Sequence, residues 1–329
     1  MPFGVLFIPS LRPLTFDLTR VLHLIIAYAK NKKPLERHVL FEQVSELLQE
    51  STFRELVEHI AKPRHFVAEN RQNVLSRDYI ADYLSQCGYV VKLLGDYGNV
   101  LALPRDFDAR QAIHAVGAHY DSVPGSPGAD DNGSAIAAML QCAKVLSVTE
   151  NADRCAFIAF NCEEDHLIGS RDFVDYLKNC QPFKLAHLDV LEMLGYRDSS
   201  PNSQTLPRGI PIRVPNTADF LALIGNKKSN RLLDNVLSLA QTYVPQANVL
   251  GLKIFAGLEK FVHHVKRSDH APFWEAGYSA MMWTDTAEFR NPHYHRASDT
   301  PDTLDYAFLR YNTLLLCMHV LWHVERLRD

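Results

Sequence analysis

Between Phe41 and Ile60 the apolar residues Val44, Leu47, Leu48, Phe53, Leu56, Val57 and Ile60 recur every three or four positions, the spacing of one helical face. The same spacing predicts a helix over 76–86, where Ile80, Tyr83 and Leu84 share a face and Gly88 follows as a stop. The period then shortens. Residues 89–94, 100–103, 113–118 and 156–161 are short β-rich runs, joined later by 190–194, 220–224 and 280–284. Helices are predicted over 134–147, 229–242 and 306–327. Strands alternating with helices indicate an α/β fold with a mixed, mostly parallel central sheet and helices on both faces. Binding sites in such sheets gather at the carboxyl ends of the strands. Residues 41–329 read as one domain, and residues 1–40 as an N-terminal extension with a basic break at Lys30-Asn31-Lys32-Lys33-Pro34.

Composition narrows the class. Hydrophobic residues make up 47% and charged residues 22% of the 329, ordinary globular usage with enough apolar side chains for a large core. A net charge of -4 without a clustered basic surface excludes a nucleic-acid footprint. The six cysteines lack C-x-x-C spacing and read as small buried hydrophobes. The apolar runs 1–10 and 21–29 fall short of the roughly 20 residues a spanning helix needs. Neither carries a signal-peptide pattern, so a cytoplasmic protein without a stable membrane span is expected.

Chemistry-bearing residues fall where the strand-end rule puts them. The run AIHAVGA leads into His119-Tyr120-Asp121, and residues two apart on a strand leave it on one side, so the carboxylate can orient the imidazole. Gly128-Ala129-Asp130-Asp131-Asn132-Gly133-Ser134 opens the next helix. One capping residue would suffice there, and paired aspartates add negative charge that a cation would offset. The strand AFIAFN ends in Cys162-Glu163-Glu164-Asp165, adjacent acids that can take different roles. The run His187–Leu194 carries Asp189 and Glu192 among apolar neighbours, where a carboxylate is costly unless paired or bound to metal. His293 and His295 follow a last strand in a polar loop, and nothing in that segment alone distinguishes a ligand from a loop histidine.

Together the blocks GAHYDSVPGSPGADDNGSA, NCEEDHLIGSRDF, LEMLGYRD, SDHAPFWEAG and NPHYHRASDTPDTLD resemble the M28 family of zinc peptidases, over Val57 to the C-terminus. The resemblance implies a zinc exopeptidase-like, phosphorylase/hydrolase-like fold and two Zn2+ ions acting on a peptide substrate. It implies His119, Asp130, Glu164, Glu192 and His295 as ligands, Asp130 bridging both ions, Glu163 as general base and Asp121 as the orienting carboxylate. Family members more often have Asp where this chain has Glu192, and Asp189 is the rival for that position. Asp269, Arg290 and Tyr294 are candidates for substrate binding. The implied activity is an aminopeptidase. A glutaminyl cyclase, similar in fold but with one zinc, and a carboxypeptidase are the alternatives.

Overall fold

The computed structural model describes residues 26–149, 151–206, 214–255 and 263–328. Its strands are β1 (Ile26–Tyr28), β2 (Val90–Leu94), β3 (Asn99–Leu103), β4 (Ala112–His119), β5 (Cys155–Phe160), β6 (Lys184–Glu192), β7 (Phe220–Gly225), β8 (Asn248–Lys253) and β9 (Ala280–Thr284). They form one sheet in the order β1-β8-β7-β9-β6-β4-β5-β3-β2. The middle of the sheet is parallel (β5, β4, β6 and β9), β7 and β8 form a second parallel pair, and the remaining pairings are antiparallel. The sheet is mixed, as the alternation of elements predicts, but only half of its pairings are parallel, because the edge strands β1, β2 and β3 and the β7–β9 pairing run antiparallel.

The helices are α1 (Phe41–Leu47), α2 (Glu50–Ile60), α3 (Asn70–Gln86), α4 (Ala135–Val148), α5 (Ile168–Cys180), α6 (Asn230–Tyr243), α7 (His270–Glu275) and α8 (Tyr306–Arg328). One face of the sheet packs against α1–α4, α6 and α8, contributing Val116, Ala118, Phe157 and Leu191 to that core. The other face packs against α5 and α7 and contributes Ile113, Ala115, Ile158, Leu188 and Val190. Strand periodicity does the sorting, since successive side chains point to opposite faces. Central strands are buried on both faces, so their sequences read as continuous apolar runs rather than alternating ones. That is why β5 and β9 are plain in the sequence, whereas β8, only partly buried and starting and ending on the polar residues Asn248 and Lys253, is not.

The expected boundary at residue 40 does not separate two structural units. β1 pairs antiparallel with β8 at the sheet edge. Beyond it the Lys32 ammonium meets Asp234 at 2.5 Å, and the Leu35 N–H donates to Thr242 Oγ1 at 2.8 Å. Residues 1–25, the remainder of that expected extension, lie outside the described residues. All six cysteines are free, and only Cys180 is exposed. No helix among the described residues is long and apolar enough to cross a membrane.

Gly169 at the start of α5 shows how tightly the strand-end loops are held. A Cβ there would sit 1.8 Å from the Asn161 carbonyl oxygen and 2.9 Å from Asn99 Oδ1. Both groups are backbone-anchored: Asn99 accepts the Asn161 N–H at 3.0 Å and donates to the Gly169 carbonyl at 2.9 Å. Gly169→Ala is therefore expected to lower the unfolding free energy by about 2 kcal/mol, the scale of overpacking in a rigid site. A urea titration of both proteins checks this, and an unchanged midpoint would contradict it.

Candidate active site

Three strands end at one place. β4 lies between β5 and β6, while the chain runs from β4 through α4 to β5 and through α5 to β6, with α4 and α5 on opposite faces. The connections diverge, and such a switch point leaves a crevice at the carboxyl ends of the strands. His119 is the last residue of β4, Glu192 the last of β6, and Glu163-Glu164 follow β5 after Asn161 and Cys162. Asp131 comes from the irregular turn Ala129–Ser134 before α4, and His295 from the loop after β9. Cys162, Met193 and His295 all have positive φ, at 55°, 51° and 58°. Left-handed backbone at non-glycine residues costs about 1 kcal/mol or more each. Here it reverses the chain just before Glu163-Glu164, just after Glu192 and at His295 itself.

The resulting geometry divides into two halves. His119 Nε2 lies 3.4 Å from Asp131 Oδ1 and 3.6 Å from Glu192 Oε2. His295 Nε2 lies 3.1 Å from Asp131 Oδ2 and 3.1 Å from Glu164 Oε2. Glu163 joins His119 and Glu192 in the first half, and Asp131 joins Glu164 and His295 in the second. Each oxygen of Asp131 thus faces a different histidine.

That position differs from the expectation for Asp130. The Asp130 carboxylate turns inward, accepting from Ser134 Oγ (3.0 Å), the Gly195 N–H (3.0 Å) and Asn291 Nδ2 (2.8 Å). The chain leaves the helical path at Asp131 (φ -101°, ψ 88°), so the two neighbouring carboxylates diverge. A run of adjacent acids gives no sign of which one a local break in the helix will aim outward.

The remaining candidates separate in the same way. Asp121 is buried, lies 3.3 Å from His119 Nδ1, and accepts the backbone N–H groups of Glu163 and Glu164, each at 3.2 Å. Glu192 receives the Ser268 hydroxyl at 2.6 Å. Its rival Asp189 stands three residues earlier on β6 and so points to the opposite face, where His114 Nε2 approaches it at 2.9 Å. Asp269 is fully buried within the field of His119, Asp121 and Glu192. Tyr294 stacks on the His295 ring with 3.7 Å between centroids and lines an apolar cavity of about 130 Å³ beside Glu192. Phe220, Ala222, Leu250, Leu252 and Met282 form its walls. Arg290, expected to line a substrate pocket, does not. Its guanidinium is buried against protein groups, donating to Gln204 Oε1 at 3.0 Å and the Phe220 carbonyl at 2.8 Å, with the Phe220 ring beneath it.

Two supporting residues were not singled out from the sequence. Asp299 accepts the N–H groups of Asp130 (2.9 Å) and Asp131 (3.1 Å), fixing the turn that aims Asp131. It stands within the NPHYHRASDTPDTLD block, which was its one signal. Arg64 is fully buried and donates to the carbonyls of Tyr120 (2.6 Å), Gly128 (2.9 Å) and Pro127, clamping the loop between His119 and Asp131. A lone arginine after a helix gives no such signal.

Burial drives the titration behaviour of the site. It pushes the Glu164 carboxyl up to about 7, with Asp131 adding to the rise and His295 opposing it. Glu163 is pushed well above the usual carboxylate range by burial, against the pull of His119. Burial acts to lower His295, but Asp131 and Glu164 prevail and raise it to about 10. Burial also lowers Arg64 to about 10, against the nearby carboxylates Asp121, Asp299, Asp131 and Glu164.

A metal pair fits these donors. The ring nitrogens of the buried His119 face only carboxylates, Asp121 at 3.3 Å and Asp131 at 3.4 Å, outside hydrogen-bonding geometry, and Glu164 Oε1 has no hydrogen-bond partner. Carboxylates outnumber the imidazoles, and the Arg64 donors are spent on backbone carbonyls. Closely spaced buried carboxylates of this kind are tolerated when they coordinate a cation, and nitrogen with carboxylate oxygen is a zinc-type donor set.

The chain belongs to peptidase family M28, a family of metallopeptidases: the model of that family matches residues 99–320. The protein YfbL of Escherichia coli (strain K12) is 30% identical over 290 residues, 82% of this chain and 84% of that protein. The solved structure of BSAP, a zinc aminopeptidase from Bacillus subtilis, is 26% identical with a TM-score of 0.51, covering 68% of this chain and 50% of that one. LapB from Legionella pneumophila shares the fold, with a TM-score of 0.68 at 20% identity over 93% of this chain and 80% of its own.

The clamp role of Arg64 has a direct consequence. Arg64→Met leaves several buried carbonyls without donors and the surrounding carboxylates without a cation, so a loss of about 3–5 kcal/mol in unfolding free energy is expected. Chemical denaturation of the purified variant measures it, and a loss below 1 kcal/mol would show that Arg64 does not brace the loop.

Proposed function

We propose that this chain is an aminopeptidase that holds two zinc ions and removes an N-terminal residue with an apolar side chain. The observation that carries the reading is the Asp131 carboxylate, with one oxygen toward His119 and the other toward His295. His119 and Glu192 would hold one ion, Glu164 and His295 the other, and Asp131 both. Bound zinc supplies Lewis acidity, which polarises a carbonyl and lowers the pKa of a water toward about 7.

The residues of the chain do the rest. Glu163, buried beside His119 and Glu192, takes a proton from the attacking water and delivers it to the leaving amine. Asp121 fixes the His119 ring and, through the N–H groups of Glu163 and Glu164, the loop that carries both glutamates. The cavity lined by Phe220, Leu250 and Met282 receives the terminal side chain, and Glu192 stands at its wall. Arg267, which also lines the cavity, is already paired with Glu288. It is therefore not free for a substrate carboxylate, which favours amino- over carboxypeptidase action.

Three measurements test this. Glu163→Gln should lower kcat on leucyl substrates by 10²–10⁴-fold, the usual contribution of a general base, while leaving the zinc content unchanged. Retained turnover would refute the assigned base. Asp131→Ala should strip zinc from the site, whereas Asp130→Ala should retain it in whatever folded protein is recovered; the reverse pattern would restore Asp130 as the bridge. On a panel of aminoacyl anilides, leucyl should exceed glutamyl in kcat/KM by at least 10-fold. Cyclisation of N-terminal glutamine in place of hydrolysis would reject the aminopeptidase reading.

A further inference from the structure

The opposite face of β4 and β6 carries a second histidine–carboxylate cluster that the peptidase chemistry does not use. His114 on β4, His187 and Asp189 on β6, and His319 and His323 one turn apart on α8 meet between the sheet and α8. His114, His187, Asp189 and His319 are wholly buried, and His323 nearly so. The six distances between the four ring centroids run from 4.9 to 6.2 Å, so the imidazoles sit at the corners of a near-regular tetrahedron.

Asp189 is at the centre of the contacts. Its Oδ1 accepts the Trp283 indole N–H at 2.8 Å and faces His187 Nε2 at 3.1 Å. Its Oδ2 faces His114 Nε2 at 2.9 Å and His319 Nε2 at 3.2 Å. Hydrogen bonding alone leaves this arrangement incomplete. His319 is fully buried, yet its Nδ1 has no hydrogen-bond partner and its Nε2 meets only the Asp189 carboxylate, outside hydrogen-bonding geometry. The Asp189 ion pairs among the described residues are all with histidines. Neither a lysine nor an arginine offsets the buried Asp189 carboxylate among the described residues.

We propose that His114 Nε2, Asp189 Oδ2 and His319 Nε2 form a third divalent-cation site, separate from the peptidase centre, which staples α8 to β4 and β6. The three ligand atoms lie within 4.8 Å of one another. Two imidazole nitrogens and one carboxylate oxygen suit Zn2+, with Co2+ as a spectroscopic substitute. The outer contacts set the tautomers. His323 Nδ1 lies 2.6 Å from His114 Nδ1, which can donate to it and so leave the Nε2 lone pair of His114 for the ion. His187 Nδ1 is tied to Ser279 Oγ at 2.8 Å. Of the two ligand imidazoles, His114 is held by such a second contact. A surface cleft lined by Lys228, Arg231, Ser279, Trp322, His323 and Arg326 borders the outer edge of the cluster at His323.

The proposal does not depend on the peptidase reading, and its test separates the two. Full-length protein is equilibrated with zinc, freed of excess by gel filtration, and its metal counted by mass spectrometry. A His119→Ala/Asp131→Ala/His295→Ala variant, with the peptidase centre removed, should retain one zinc per chain, and adding His319→Gln should remove it. In the same triple variant, Co2+ should quench the fluorescence of Trp283, and chelation should lower Tm. No zinc in a folded triple variant, or one zinc that His319→Gln leaves in place, would overturn the proposal. If the variants do not fold, a chelator-competition titration of the wild-type chain decides, with three tight sites supporting the third centre and two or fewer rejecting it.

Discussion

The constraint on which this molecule depends is electrostatic: several carboxylates are buried within a few ångströms of one another at the ends of β4, β5 and β6. Left to repulsion, they would protonate or swing apart. The surrounding groups hold them in place. Asp121 is fixed by the N–H groups of the two glutamates that follow β5, and Asp299 by those of the Asp130-Asp131 turn. Arg64 adds the buried cation beneath the loop. A site preorganised in this way resists collapse onto itself, and that readiness to receive a cation is what its chemistry requires.

Strand geometry distributes the polar residues between two faces. On β6, Asp189 and Glu192 stand three residues apart and therefore project oppositely. On β4, His114 and His119 are five apart with the same result. Two strands thus serve two histidine–carboxylate clusters, one opening at the strand ends and one closed beneath α8. The parallel arrangement makes this possible, because strands covered by helices on both faces have no solvent face on which polar residues could be spent.

Backbone strain is concentrated where direction matters. Cys162, Met193 and His295 adopt left-handed conformations beside the glutamates or at the histidine of the site. Packing around the switch point maintains these turns, and each re-aims a side chain that an unstrained strand end would send elsewhere.

Much of this was legible in the sequence. Periodicity gave the alternating elements, because apolar spacing reports directly which faces are buried, and the family resemblance carried by the ordered acidic and histidine blocks implied His119, Glu163, Glu164, Glu192 and His295. Other features depended on contacts between residues far apart in the chain. Whether Asp130 or Asp131 faces the histidines is set by a break in the helix that Asp299, some 170 residues away, holds in place. The cluster around Asp189 needs α8 laid across β4 and β6, and Arg64 finds its carbonyls only once the loop has folded over it. Local spacing determined which residue types stand at strand ends. Tertiary packing decided where each points, since orientation is a property of neighbours and not of sequence order.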